Sequence, residues 1–329
     1  MAKIKLVEVK SDLGGRKAGA SLGIDAIRIA SYKNQDNFGF FRRFEDECYD
    51  KIEADNQLFN RPDSHIYCKK INELTKIYEQ TADAVAHGLK NCDFTIVLAG
   101  DHSTAGGTIC GMRQAYPDKK IGVVWIDAHA DVHTPYSSDT GNMHGMPVAT
   151  VIDDDNTECV FNDLDSESIA LWEKIKSVGG IKKKVSLSDF VYVALRDFEI
   201  AETTIINKYN TKVVRTIDLR LQGANETAHK ILKHLSYCDV IYVSFDVNAM
   251  DTTVSRGTGT PFEGGLFAYE ARQLLKVLAS FNKVKCIEIA EVNPTLDECN
   301  KMAEVAFDIF STICRTVDLR FAHKNSFLI

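Results

Sequence analysis

No apolar run in this chain reaches the ~18 residues that a membrane-spanning helix requires. Basic residues are not in excess either. The formal net charge is −7, so the electrostatic footprint of a nucleic-acid-binding protein is missing. The nine cysteines include no Cys-x-x-Cys pair, and an odd count at irregular spacing argues against a disulfide framework. No internal repeat and no Pro- or Gly-rich linker interrupts the 329 residues, which favours a single domain over 1–329. The opening Met1-Ala2-Lys3-Ile4-Lys5 lacks the long apolar core of a secretory signal. Together these absences lead us to expect a cytoplasmic protein with mostly reduced, buried or partly buried thiols. Cys48 and Cys68 lie in a polar stretch, and one of them is a candidate reactive thiol.

What the chain does have is a large supply of core residues, 45% of the total. Apolar, β-branched runs at 4–9, 94–99, 121–126, 190–195, 212–216, 240–245 and 284–290 predict strands. Several are apolar on both faces, as strands of a buried parallel sheet are. Segments 71–90, 226–236, 268–281 and 299–313 predict helices. In the first of these, Leu74, Ile77, Tyr78, Thr81, Val85 and Leu89 form one stripe at helical spacing. Strands alternating with helices read as an α/β fold around a mainly parallel sheet. Segment 153–168 is acidic and unpatterned, and reads as a solvated surface loop.

Five stretches place polar groups just after apolar strands. In an open α/β sheet such positions gather along one edge, where ligands bind. The most informative is Val123-Val124-Trp125-Ile126-Asp127-Ala128-His129-Ala130-Asp131. If the strand continues, Asp127, His129 and Asp131 point the same way. Charges gathered there are costly to desolvate unless a cation pairs with them. The others are Gly100-Asp101-His102-Ser103, Thr140-Gly141-Asn142-Met143-His144-Gly145, Ser244-Phe245-Asp246-Val247-Asn248, and Glu288-Ile289-Ala290-Glu291-Val292-Asn293-Pro294. Each alone has a plainer reading: a capping acid, a core histidine, a polar turn, a carboxylate paired with a nearby cation. Taken together, oxygen and nitrogen donors without cysteine suit a hard or borderline cation such as manganese, with zinc and iron also compatible. The donors outnumber what one ion needs, so a two-metal hydrolytic site is expected.

These motifs, with Gly257-Thr258-Gly259-Thr260-Pro261 and Gly264-Gly265, resemble in order and spacing those of the ureohydrolase family: arginase, agmatinase and formiminoglutamase. The resemblance implies a three-layer α/β/α fold with a central, mainly parallel sheet, and a binuclear Mn2+ centre. By it, His102 and Asp131 bind the first ion and His129 the second, with Asp127 and Asp246 bridging both. Asn248 stands where the family expects an aspartate. An amide offers one carbonyl oxygen and no charge, so weaker binding of the second ion is expected.

Within the family, the chain most resembles arginase. Its resemblance assigns Thr140, Asn142 and His133 to the substrate α-carboxylate, with His133 replacing the usual Asn. It assigns Asp197, Glu199 and Glu202 to the α-ammonium, with Glu199 replacing an Asp. Glu291 would hold the guanidinium, Thr260 would line the same pocket, Asp131 would orient the attacking hydroxide, and His144 would shuttle a proton. The implied reaction is hydrolysis of a guanidino amino acid, L-arginine to L-ornithine and urea, by a metal-bridging hydroxide. Alternatives are a formiminoglutamase acting on a formimino amino acid, an agmatinase, and a metal-poor pseudoenzyme with an interaction role, suggested by Asn248. The resemblance also implies a homo-oligomer, a trimer or hexamer. The C-terminal segment 315–329, with Phe321, Phe327, Leu328 and Ile329, reads as a subunit-contacting tail or a frayed end.

Overall fold

A computed structural model of the protein describes residues 1–33, 39–44 and 48–325. One eight-stranded sheet runs through it in the order β2-β1-β3-β8-β7-β4-β5-β6. The strands are β1 (Ile4–Lys10), β2 (Tyr49–Glu53), β3 (Phe94–Ala99), β4 (Ile121–Ile126), β5 (Phe190–Val193), β6 (Lys212–Val214), β7 (Val240–Asp246) and β8 (Val284–Ala290). Every pairing is parallel. All carboxyl ends therefore lie along one edge.

Both faces of the sheet are covered, which makes three layers. Alternate residues serve opposite cores. Val124 and Ile126 of β4 join Phe245, Leu274 and Phe310 on one side, and Val123 and Trp125 join Tyr78, Ile109 and Trp172 on the other. The first face is packed by α1 (Gly23–Ala30), α8 (Ala224–His234), α9 (Ala268–Ser280) and α10 (Lys301–Asn325). The second carries α2 (Ile71–Asn91), α3 (Ala105–Ala115), α4 (Pro147–Ile152), α5 (Ser166–Lys176) and α6 (Ile200–Lys208). A short helix, α7 (Thr216–Gln222), follows β6. Among the described residues, no helix is long and apolar enough to cross a membrane.

Departures from the sequence reading have local causes. β2 went unread because it is an edge strand in which only Ile52 is buried, so no apolar alternation shows. α3 carries three glycines that weaken helix propensity. They let α3 lie close against α2: a Cβ on Gly106 would come within 2.4 Å of the Tyr78 ring, and one on Gly111 within 2.6 Å of the Ala82 carbonyl. β5 stops before the expected end because Ala194 turns into the left-handed region at φ 67°.

Segment 153–168 is largely a loop but is not simply solvated. Asn156 donates from a buried amide to Ala201 O, and Asn162 to Pro135 O and Ser138 O. Asp155 accepts from Trp172 Nε1 at 2.7 Å and from Lys176 Nζ at 2.9 Å. From Ser166 onward the segment is helical, capped by Asp165. The expected C-terminal tail is, as far as Asn325, the continuation of α10. Phe327, Leu328 and Ile329 lie outside the described residues. Cys68 is fully buried, and burial pushes its thiol up to about 12, which removes it as a reactive candidate.

Candidate metal centre and substrate cleft

Four parallel strands deliver the polar groups. His102 follows β3 in a short 3₁₀ turn, Asp127 follows β4, Asp246 ends β7 and Glu291 follows β8. Each stands where a buried strand reaches the sheet edge and its backbone leaves the ladder. The tight neighbour pairing β3-β8-β7-β4 puts all four side by side.

His102, Asp127, Asp131 and Asp246 form one buried group whose donor atoms lie within 4.8 Å of one another. His102 Nδ1 is 3.2 Å from Asp127 Oδ2, 2.9 Å from Asp131 Oδ2 and 3.1 Å from Asp246 Oδ2. On its far side, Nε2 lies 2.7 Å from Ser244 Oγ, and the ring stacks on Trp125 at 4.4 Å between centroids. An Nε2–H donated to Ser244 leaves the Nδ1 lone pair facing the three carboxylates. Among the described residues, neither His102 Nδ1 nor Asp127 Oδ2 has a partner in hydrogen-bond geometry despite these close approaches, although both are buried. Buried polar atoms are rarely left so, and a cation among them satisfies both. Three carboxylates and an imidazole without thiolate are a donor set for a hard or borderline divalent ion. The group fits a metal.

The same carboxylates draw positive charge to this point, whether a proton on His102 or a cation. Burial opposes charge on His102, but the surrounding carboxylates of Asp127, Asp131 and Asp246 outweigh it and raise its pKa well above the usual value. Burial, then the charge of Asp127, raises both Asp246 and Asp131. Asp127 is held low despite its burial, by His102 and His129.

The route to this cluster differs from an extended strand. β4 ends at Ile126, and Asp131 sits at φ 52°, in the left-handed region. Asp127 and Asp131 converge through this turn, whereas His129 points further out. Its Nδ1 is 3.3 Å from Asp127 Oδ1 and its Nε2 is 3.4 Å from Asp197 Oδ2, so it flanks the four-donor group. Asn248 likewise sits in a 3₁₀ turn after β7 and not on the strand.

Above the cluster opens a cleft of about 410 Å³. His129, Asp131, His133, Thr140, Asn142, His144, Asp197, Glu199, Glu202, Asp246, Asn248 and Thr260 all line it. Glu291 is buried at φ 68°; its Oε1 accepts from the His102 backbone N–H at 2.8 Å and faces Nδ1 of the cleft residue His144 at 3.5 Å. Burial opposes charge on His144, but the Glu291 carboxylate prevails and its pKa is raised. Gly259, on the cleft wall, lies beside the other oxygen: a Cβ there would stand 3.5 Å from Glu291 Oε2.

At the outer end, His133 Nε2 lies 3.6 Å from both Glu199 Oε2 and Glu202 Oε2. Glu202 also accepts from the Glu199 backbone N–H at 3.0 Å, which caps α6. Asn142 accepts from Lys69 Nζ at 3.3 Å, and the Asn142 N–H is held by Thr140 Oγ1 at 3.2 Å.

Sequence reasoning missed several groups. Arg16 and Lys17 reach the cleft because the loop before α1 is tied in: Gly14 N–H donates to Asp101, and Gly14 O accepts from the His144 N–H at 2.9 Å. Nothing in their local pattern announces this. Ser244 had a signal, being a polar residue two positions before Asp246 in a strand otherwise apolar around it. Arg196 donates to the carbonyls of Ala194, Asn248, Met250, Phe262 and Glu263, which fastens the loop after β7 to the loop after β5.

The comparisons with known proteins meet this geometry. The family model described as Arginase family matches residues 2–315. The arginase of Bacillus caldovelox is 28% identical over 321 residues, covering 95% of this chain and 98% of the relative. That of Brevibacillus brevis is 30% identical over 312 residues, covering 94% and 97%. The solved Bacillus caldovelox arginase superposes with a TM-score of 0.77 at 27% identity, over 95% of this chain and 98% of that one. A formimidoylglutamase from Bacillus subtilis shares the fold, with a TM-score of 0.71 at 20% identity over 96% and 87% of the two chains. The chain belongs to the arginase family, and it is a ureohydrolase-type enzyme with a buried His/Asp group suited to a metal.

Proposed function

We propose that this protein hydrolyses L-arginine to L-ornithine and urea. The observation that carries the reading is His102 Nδ1 surrounded by Asp127, Asp131 and Asp246 at the base of a cleft with Glu291 and His144 beside it. His102, Asp127, Asp131 and Asp246 would hold the first cation, and His129 with Asn248 are the remaining donors toward a second. Manganese is the ion the family resemblance favours. A bound divalent cation supplies the acidity that makes hydroxide available from water near neutral pH.

The chain's own residues do the rest. Glu291 presents a carboxylate at the depth where a planar guanidinium must stop, and its left-handed backbone and the His102 N–H fix its direction. Positioning of this kind turns an encounter into an intramolecular attack. Asp131 accepts a hydrogen bond from the attacking water and aims it. His144, its pKa raised by Glu291, carries a proton to the departing amine. At the mouth, Asp197, Glu199 and Glu202 offer acids for an α-ammonium, and Thr140, Asn142 and His133 offer polar groups for an α-carboxylate. A substrate that carries an α-carboxylate beside its α-ammonium uses both sets, which favours arginine over agmatine, since agmatine has no α-carboxylate.

We read the chain as one domain and, by family resemblance, as a cytoplasmic homo-oligomer, a trimer or hexamer. The test is urea release by manganese-loaded protein from arginine and agmatine, with formamide release from formiminoglutamate as the third arm. Turnover of arginine alone is the expected result. Formamide release without urea would replace this reading with a formiminoglutamase.

A further inference from the structure

We propose that Asn248 makes this a one-cation centre at rest, its amide N–H standing in for a second cation on Asp246. The inference rests on reading the His102 cluster as a metal centre. Asn248 is 2% exposed and held at four points. Its backbone N–H donates to Asp246 Oδ1 at 2.6 Å, and its backbone carbonyl accepts from Arg196 at 2.9 Å. Its side-chain Nδ2 donates to Asp246 Oδ2 at 3.2 Å and to Thr260 Oγ1 at 2.9 Å, while its Oδ1 accepts from the Thr258 hydroxyl.

The amide can face only one way in this arrangement. A carboxylate accepts and never donates, so Nδ2 must meet Asp246 and Oδ1 must turn away. Asp246 Oδ2 is also the oxygen 3.1 Å from His102 Nδ1. One oxygen thus serves the four-donor group on one side and an amide N–H on the other. A second cation sharing Asp246 needs the Asn248 carbonyl in place of that N–H, because Nδ2 has no lone pair to give.

With both backbone groups pinned, the available motion is rotation of the amide about its terminal torsion. The threonine hydroxyls at positions 258 and 260 both donate and accept, so they tolerate either orientation. The Asp246 contact does not, and a charge-assisted hydrogen bond is lost in the turn. The first cation, held by His102, Asp127, Asp131 and Asp246, requires no such turn. We therefore infer two affinities separated by about 10- to 100-fold. The second ion is admitted only at high concentration, with the amide reversed.

Manganese titration of the metal-stripped full-length protein, followed by electron paramagnetic resonance, reads this without any assay of turnover. The expected result is tight uptake of one equivalent per chain with the spectrum of an isolated ion. Asn248→Asp should take up two equivalents at comparable affinity and give an exchange-coupled spectrum. Two equal, tight sites in the unaltered protein would overturn the inference, whatever the behaviour of the variant. A variant that folds yet still holds one ion would also overturn it. One tightly bound ion without arginine hydrolysis would sink the substrate assignment and leave this inference standing. No bound ion would sink both.

Discussion

Ser244 Oγ sits 2.7 Å from His102 Nε2, on the side of the imidazole opposite Asp127, Asp131 and Asp246. With Ser244 Oγ accepting from Nε2–H, Nδ1 is the nitrogen left free for a metal, and the contact holds the ring in that orientation. Partners of this kind are worth about 10- to 100-fold in metal affinity. Ser244→Ala should weaken manganese binding by about that factor, measured by equilibrium dialysis, with the fold retained by circular dichroism. Unchanged affinity would mean that Trp125 stacking alone orients the ring.

Glu291 is the acid we place on the guanidinium. Glu291→Gln keeps its shape and removes its charge. An ion pair of this type contributes about 1.5–3 kcal/mol, so kcat/KM for arginine should fall by about 10- to 100-fold while manganese content stays constant. Steady-state kinetics paired with metal analysis checks both halves.

Gly141 is a positional requirement of the cleft wall. It sits at φ 67°, and a Cβ there would lie 1.9 Å from the Ile66 carbonyl oxygen. Gly141→Ala meets both backbone strain and a clash with main chain, and should destabilise the protein by about 3 kcal/mol or more. Because the same loop carries Thr140 and Asn142, KM for arginine should rise as well. Denaturant unfolding and kinetics report the two effects separately.

Glu288 supplies the pH prediction. It is fully buried on β8, accepts from Tyr242 OH at 2.8 Å, and has an Oε1 with no hydrogen-bond partner among the described residues. Burial raises its pKa above the ordinary 4.5. The folded state therefore binds this proton more tightly than the unfolded chain. Its stabilising contribution is complete below the unfolded value and is lost as pH rises through the folded one. Glu288→Gln keeps a neutral hydrogen-bonding group at all pH values. Relative to the unaltered protein, it should gain stability between pH 4.5 and the folded pKa, by up to ~1.4 kcal/mol per pH unit. Urea denaturation midpoints at pH 5 and pH 8 test the sign; a larger relative stability of the variant at pH 5 would reverse it.

The sheet and the floor of the site were legible because burial writes itself into sequence. β3 and β4 are almost wholly apolar and buried, β7 is broken only by Ser244 before Asp246, and the acid or imidazole that ends or follows each run breaks that pattern conspicuously. What stayed hidden is held by tertiary contact. β2 shows no alternation because it lies at an edge, and α3 hides its helix behind glycines that α2 requires. The left-handed turn at Asp131, the outward direction of His129 and the carbonyl clamp of Arg196 depend on neighbours far along the chain. The same holds for Asn248. Its identity is plain from sequence, but the hydrogen bonds that orient its amide are seen only when the loop bearing Thr258 and Thr260 is folded against it.

The most direct test is anomalous diffraction from crystals of the manganese-loaded protein. The account predicts a peak bonded to His102 Nδ1 and flanked by carboxylate oxygens of Asp127, Asp131 and Asp246, at the base of the cleft. A peak elsewhere, or none there in saturating manganese, would contradict it.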